Sequence, residues 1–169
     1  MEETLLERAR TLSRPRDLFK GLEPAQAIHP RNVVAWLNRG PLHQYDVAHE
    51  RHVLATCLRG EGSLFVDGAL HPQSPHRSLL VFPYQFHHYA TARDDDLRWL
   101  FVTFDMEDSG PLQPLRDQPL ALKAAEIDLL LGLLEAYRRC DRQRTNLAGN
   151  ELVLHLSLLL CRLLRQVRR

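Results

Sequence analysis

Residues 49–89 read HERHVLATCLRGEGSLFVDGALHPQSPHRSLLVFPYQFHHY. Val53-Leu54-Ala55-Thr56-Cys57-Leu58 is a first apolar run, and Gly60-Glu61-Gly62 reads as a tight hairpin turn after it. Ser63-Leu64-Phe65-Val66 follows and ends at Asp67-Gly68. A third run, Ser78-Leu79-Leu80-Val81-Phe82, stops at Pro83 and resumes at His87-His88-Tyr89. Short runs punctuated by Gly, Asp-Gly and Pro predict strands of a small antiparallel barrel or sandwich. Such a barrel has an interior, and His, Tyr and Arg along it would make a place to hold a small molecule.

Strand candidates extend outward from this stretch. Upstream, Val33–Leu37 is followed by a turn at Asn38-Arg39-Gly40-Pro41. Downstream, strands continue through Phe104, with Asp94-Asp95-Asp96 read as a solvated hairpin tip. Three adjacent aspartates point in different directions and do not converge on one cation. Residues 2–12 suit a short helix, and residues 13–30, with prolines at 15, 24 and 30, suit an irregular arm. After Asp105, Ser109-Gly110-Pro111, Pro114 and Pro119 mark a linker. The apolar period then changes from 2 to 3.6. Residues 123–140 place Ile127, Leu130, Leu131, Leu134 and Tyr137 on one helical face, and Asn146 or Asn150 is expected to cap a second helix. The predicted organisation is an N-terminal helix and arm (1–30), a β-barrel (31–106), a linker (107–122) and a helical region (123–169).

The last helix carries more leucine than a helix resting on a barrel from one side requires. Its polar stripe, Glu151, His155, Arg162, Gln166 and Arg169, is narrow. Either the preceding helix and the barrel wall cover the apolar remainder, or a second subunit does. The subunit reading is preferred, because a long exposed apolar face is poorly tolerated on a monomer. It predicts a homodimer held through Leu152, Leu156, Leu159 and Leu163.

Composition narrows the function class. Lys and Arg total 22 and Asp and Glu 21, for a net charge of +1, so the chain as a whole is no nucleic-acid-binding polyelectrolyte. Cys57, Cys140 and Cys161 are odd in number and widely spaced, which suits a reducing cytoplasm better than a disulfide framework. The acidic start Met1-Glu2-Glu3 is unlike a signal peptide. The apolar run from Leu152 to Leu164 is interrupted by His155 and Arg162 and is short for a membrane span. No Ser/His/Asp arrangement stands at a recognisable turn, and no phosphate loop is present, so the chain is not read as an enzyme.

Four segments together carry a resemblance: Leu58 to Gly68, Leu79-Leu80-Val81-Phe82-Pro83, His88-Tyr89, and Arg98 to Asp105. In order and spacing they resemble the N-terminal effector-binding domain of AraC-type transcription regulators. The resemblance implies a double-stranded β-helix (cupin) followed by a two-helix antiparallel dimerisation unit. It also implies a small-metabolite effector, such as a sugar, and a DNA-binding domain with two helix-turn-helix units following the last helix. DNA would be contacted only through that further domain. One departure concerns the turn before the third run. The Pro-Gly-Asp of the family stands here as Pro75-His76-Arg77, so His76 must accept a turn that glycine takes more easily.

Metal-binding cupins, by the same resemblance, use two histidines, a glutamate and a third histidine. Aligned on Gly60 and Pro83, those positions hold Val47, His49, Val53 and His88. Valine coordinates nothing, and two imidazoles fall short of the three protein ligands of a catalytic site. No metal and no other cofactor is therefore expected. If His49 points inward, alternation sends Tyr45, Val47, Arg51, Val53, Ala55 and Cys57 inward too, with His88 and Ala90 facing them across the barrel. The expected ligand contacts are His49, Arg51 and His88, with Tyr45, Tyr84 and Trp99 nearby. A core filled by its own side chains is the alternative to this pocket, and a metal-dependent dioxygenase or isomerase, or a stand-alone cupin sensor, is the alternative function.

Overall fold

The computed structural model describes the whole chain except residues 1, 15, 18–20, 23–25, 39–47, 93–96, 144 and 169; the side chains of 2–4 and 89–92 are likewise outside the description. Tyr45, Val47 and Asp94-Asp95-Asp96 therefore lie outside the described residues. The order of elements is helix α1 (Glu2–Ala9), strands β1 (Arg31–Asn38), β2 (His52–Arg59), β3 (Gly62–Val66), β4 (Ala69–Gln73), β5 (Arg77–Val81), β6 (His87–Ala92) and β7 (Arg98–Asp105), a 3-10 helix (Gly110–Leu115), β8 (Leu120–Ala121), and helices α2 (Ala124–Gln143) and α3 (Asn146–Val167).

Two antiparallel sheets face each other. The larger has the order β1-β7-β2-β5-β8 and the smaller β4-β3-β6. Because β2 and β3 belong to different sheets, Gly60-Glu61 is a corner between sheets and not the hairpin turn its composition suggests. Gly60 holds φ +76°, and a Cβ there would stand 3.1 Å from the Leu97 backbone. Both facts favour glycine at this corner. The true two-residue hairpin is Asp67-Gly68, both at positive φ, joining β3 to β4. His76 does adopt the left-handed region, at φ 66°.

Alternation splits the core in two. Val53, Ala55 and Cys57 of β2 point between the sheets, with Leu79, Val81, Leu97, Trp99 and Phe101, against Leu64 and Val66 of β3. Leu54, Leu80, Leu100, Val102 and Phe104 point the other way and meet α2 and α3. The expected inward parity of Val53, Ala55 and Cys57 therefore holds. The segment read as a linker is built into this second core. Its Leu112, Leu115 and Leu120 are fully buried, and β8 extends the edge of β5. Gln166 of α3 grips β8, accepting from the Ala121 N–H and donating to the Ala121 carbonyl.

The helices correct three expectations. Thr145, the residue before Asn146, caps α3 by accepting from the Ala148 N–H. In α2, Leu131 is 54% exposed, while Leu130 and Leu133 carry the buried face. In α3, Leu152, Leu156, Leu159 and Leu163, the residues assigned to a dimer interface, are at most 7% exposed and pack within their own chain. The exposed leucines of α3 are Leu147, Leu154 and Leu158. By length and composition α3 could cross a membrane, but its most buried leucines already form this core.

Candidate functional site

The space between the sheets has a floor and a roof of different character. The larger sheet supplies an aromatic row. Trp36 of β1 sits opposite Phe101 in register, with ring centroids 5.3 Å apart, and Trp99 lies 6.2 Å beyond Phe101 and nearly parallel to it. The smaller sheet supplies polar groups. Register places His87 opposite Val66, His71 opposite Leu64 and Gln73 opposite Gly62, so all three share the inward face of β3.

This geometry exchanges the two histidines of β6. His87 is the buried one, and His88 pairs with Phe65 on the outer face, where their rings stack at 4.8 Å. The turn at Phe82–Phe86 causes the exchange. Tyr84 takes φ 65° there, and the chain enters β6 one residue out of the phase expected from Pro83. His87 meets His49 edge-on, with centroids 5.3 Å apart. His87 Nδ1 lies 3.0 Å from the Gln85 carbonyl and donates to it. His49 Nδ1 accepts the Arg51 N–H at 3.3 Å. Burial, followed by the neighbouring His87, lowers the His49 pKa below its ordinary value. The ring is thus neutral at pH 7 and can exchange hydrogen bonds with a hydroxyl-bearing ligand.

The other expected contacts fall elsewhere. Arg51 donates from Nε to Asp105 at 2.9 Å and also donates to the Asn32 carbonyl, so its guanidinium ties β2 to β1 and β7. Burial works against the Asp105 charge. The hydrogen bonds from Asn32 and Arg51 and the arginine charges outweigh it and hold the carboxyl below the usual range. Tyr84 is 72% exposed on its loop, and Trp99 is fully buried in the floor. Tyr84 nonetheless stands next to His49, donating its backbone N–H to the His49 carbonyl at 2.9 Å. Residues that sequence reasoning missed are His87, His71 and Gln73.

Beside His49 a cleft of about 490 Å³ is lined by His49, Arg51, His52, Pro83, Asp105 and Met106, among others. His52 is 1% exposed and points to the helix side, stacked on Phe104 and edge-on to Phe82, both at 5.2 Å. Neither ring nitrogen has a hydrogen-bond partner. Burial drives its pKa down to about 4; Asp105 and the Phe104 backbone pull weakly the other way, without a well-formed hydrogen bond. Cys57 is equally unreactive. Burial pushes its thiol pKa up, and Sγ rests between the Arg59 and Gly60 carbonyls. Among the described residues no three His, Cys, Asp or Glu side chains group as metal ligands, and Val53 occupies the expected glutamate position within the apolar core.

A model of the AraC-like ligand binding domain matches residues 32–157. The chain belongs to that family. Among solved structures, ToxT from Vibrio cholerae superposes with a TM-score of 0.54 at 9% identity, over 80% of this chain and 57% of ToxT. This likeness supports the shared fold. KdgF from Halomonas sp. (TM-score 0.40, 16% identity, 48% of this chain and 76% of that one) and a cupin protein from Bacteroides fragilis (0.40, 14%, 54% and 88%) are also similar in structure. No curated protein matches the sequence.

Proposed function

We propose that this AraC-like domain senses a small polar metabolite at the His49–His87 end of its interior. In this reading it is a cytoplasmic, non-enzymatic module that governs a DNA-binding domain elsewhere in a transcription regulator. One observation carries the proposal: His49 and His87 meet edge-on beside the face of the larger sheet that carries Trp36, Phe101 and Trp99. Aromatic faces suit the C–H face of a sugar or an aromatic acid, and imidazoles suit its hydroxyl or carboxyl groups. The metal-dependent enzyme reading gains nothing from the donor set, since Val53 stands where a carboxylate is needed. The test is a thermal-shift screen against sugars, organic acids and aromatic acids. A cognate ligand raises the melting temperature in proportion to the logarithm of its concentration. The rise should be lost in His49→Ala and His87→Ala and kept in His88→Ala. Equal responses in all three variants would refute the site.

The same domain is proposed to pair with a second copy along Leu147, Leu154 and Leu158. These exposed leucines recur at seven and four residues and so share one side of α3.

A further inference from the structure

The end of α3 lies beside the start of α2 and the β8 strand that precedes it, as the contacts from Arg162 to Glu126 and from Gln166 to Ala121 show. A cleft of about 450 Å³ opens at this junction, lined by Ala121, Lys123, Glu126, Arg162, Arg165 and Gln166. Its walls are pinned. Gln166 holds both backbone groups of Ala121. Arg162 donates from Nε to Glu126 Oε1 at 2.7 Å, and the Lys123 N–H donates to Glu126 Oε2 at 3.1 Å. Both oxygens of this buried carboxylate are engaged, and Arg162 matches its charge. Among the described residues neither the Lys123 ammonium nor the Arg165 guanidinium has a carboxylate partner. Three cations against one carboxylate leave the cleft with a surplus of two positive charges. Isolated surface cations are ordinarily just solvated. These three instead converge from two elements on one concavity, and like charges brought together repel unless an anion joins them.

We propose that this cleft is an anion site, separate from the histidine end, which takes the phosphate group of a small phosphomonoester. Such a group carries about −1.5 to −2 charge at pH 7, which the surplus matches better than it matches the single charge of a carboxylate. Its three terminal oxygens accept donors from several directions. Arg162 and Arg165 on α3 and Lys123 before α2 provide them. Glu126 anchors Arg162 through Nε, and that side chain stays 41% exposed, which leaves its Nη edge for the ligand.

The experiment is calorimetric titration of the intact chain, at about 0.15 M salt, with inorganic phosphate, glycerol 3-phosphate, glycerol and a short DNA duplex. Both phosphate compounds should bind saturably, and glycerol should not. Lys123→Ala and Arg165→Ala should each weaken them by about fivefold or more. Both side chains are exposed, so neither variant should change the melting temperature, and loss of binding is not confused with loss of folding. Arg142→Ala removes an exposed arginine about 28 Å away along α2 and should leave binding unchanged, as should His49→Ala. The proposal is overturned if neither phosphate compound saturates below about 10 mM, or if Arg142→Ala weakens binding as much as Arg165→Ala does. It is also overturned if the duplex binds through Lys123 and Arg165 while the phosphate compounds fail to displace it, which would make the cleft a nucleic-acid contact.

Discussion

Replacing Gly132 by alanine tests how α2 and α3 fit together. In an exposed helix interior the change would stabilise by about 1 kcal/mol, because glycine is the more flexible residue in the unfolded chain. Here the new methyl would stand 2.4 Å from Cε1, 2.7 Å from Nδ1 and 2.8 Å from Nε2 of His155. No side chain tolerates such distances, so the imidazole must leave its place against Gly132. Overpacking of this kind costs about 1–3 kcal/mol. Gly132→Ala should therefore destabilise by about 1 kcal/mol net, lowering the melting temperature by about 2–4 °C for a chain of this size. In a His155→Ala background the clash is absent, and the same substitution should stabilise by about 1 kcal/mol. Urea unfolding of the four variants, followed by far-UV circular dichroism, gives the coupling directly, and about 2 kcal/mol is expected. A coupling below about 0.5 kcal/mol, or equal stabilisation in both backgrounds, would refute the packing described.

Further outcomes follow from buried groups. His52 has a folded pKa of about 4, below the ordinary 6.5, so the unfolded chain binds the proton first. Stability is then fully present above pH 6.5, falls on acidification towards pH 4 and levels off below, with a loss on the order of 3 kcal/mol; His52→Phe should remove this slope from chemical-denaturation profiles. Leu159→Glu places a charge at a position with 0% exposure and should unfold the chain, whereas Leu158→Glu, at 54% exposure, should leave the melting temperature nearly unchanged and shift sedimentation from dimer to monomer. A wild-type monomer at high micromolar concentration would remove the dimer idea. Arg162→Ala strips the 2.7 Å partner from Glu126, whose side chain is 4% exposed, and should cost about 1–3 kcal/mol in the same unfolding assay. Burial opposes the Glu126 charge, but the Arg162 and Lys123 hydrogen bonds hold its pKa below the ordinary value, so this contribution is present at neutral pH and lost on acidification through the folded pKa.

Much of the sandwich was legible because alternation is local. Val53, Ala55 and Cys57 follow from a period of 2 once one inward residue is chosen. The inward positions of His71 and Gln73 were legible too, though missed. The Asp67-Gly68 hairpin fixes Val66 opposite Ala69, which sets His71 opposite Leu64 and Gln73 opposite Gly62. The choice between His87 and His88 was not legible in this way. It depends on the left-handed Tyr84 and on a loop whose Gln85 bonds to Asp67 and Asp117 from distant segments. Gly60-Glu61 has the composition of a hairpin, and only strand pairing reveals it as a corner. In α3, leucine on nearly every side shows how much surface is covered without showing which part the chain covers itself. Leu159 and Leu158 are neighbours in sequence with opposite fates.

The stitching of β8 decides what can be cut from this molecule. Any excision at 107–122, the natural place for a cloning boundary, would remove Leu112, Leu115 and Leu120 from the same core that holds Phe104 and Leu163. It would also release Gln166 from Ala121. Barrel and helices are thus a single inseparable module, and swapping the sensor between regulators would require transplanting everything from β1 to the end of α3.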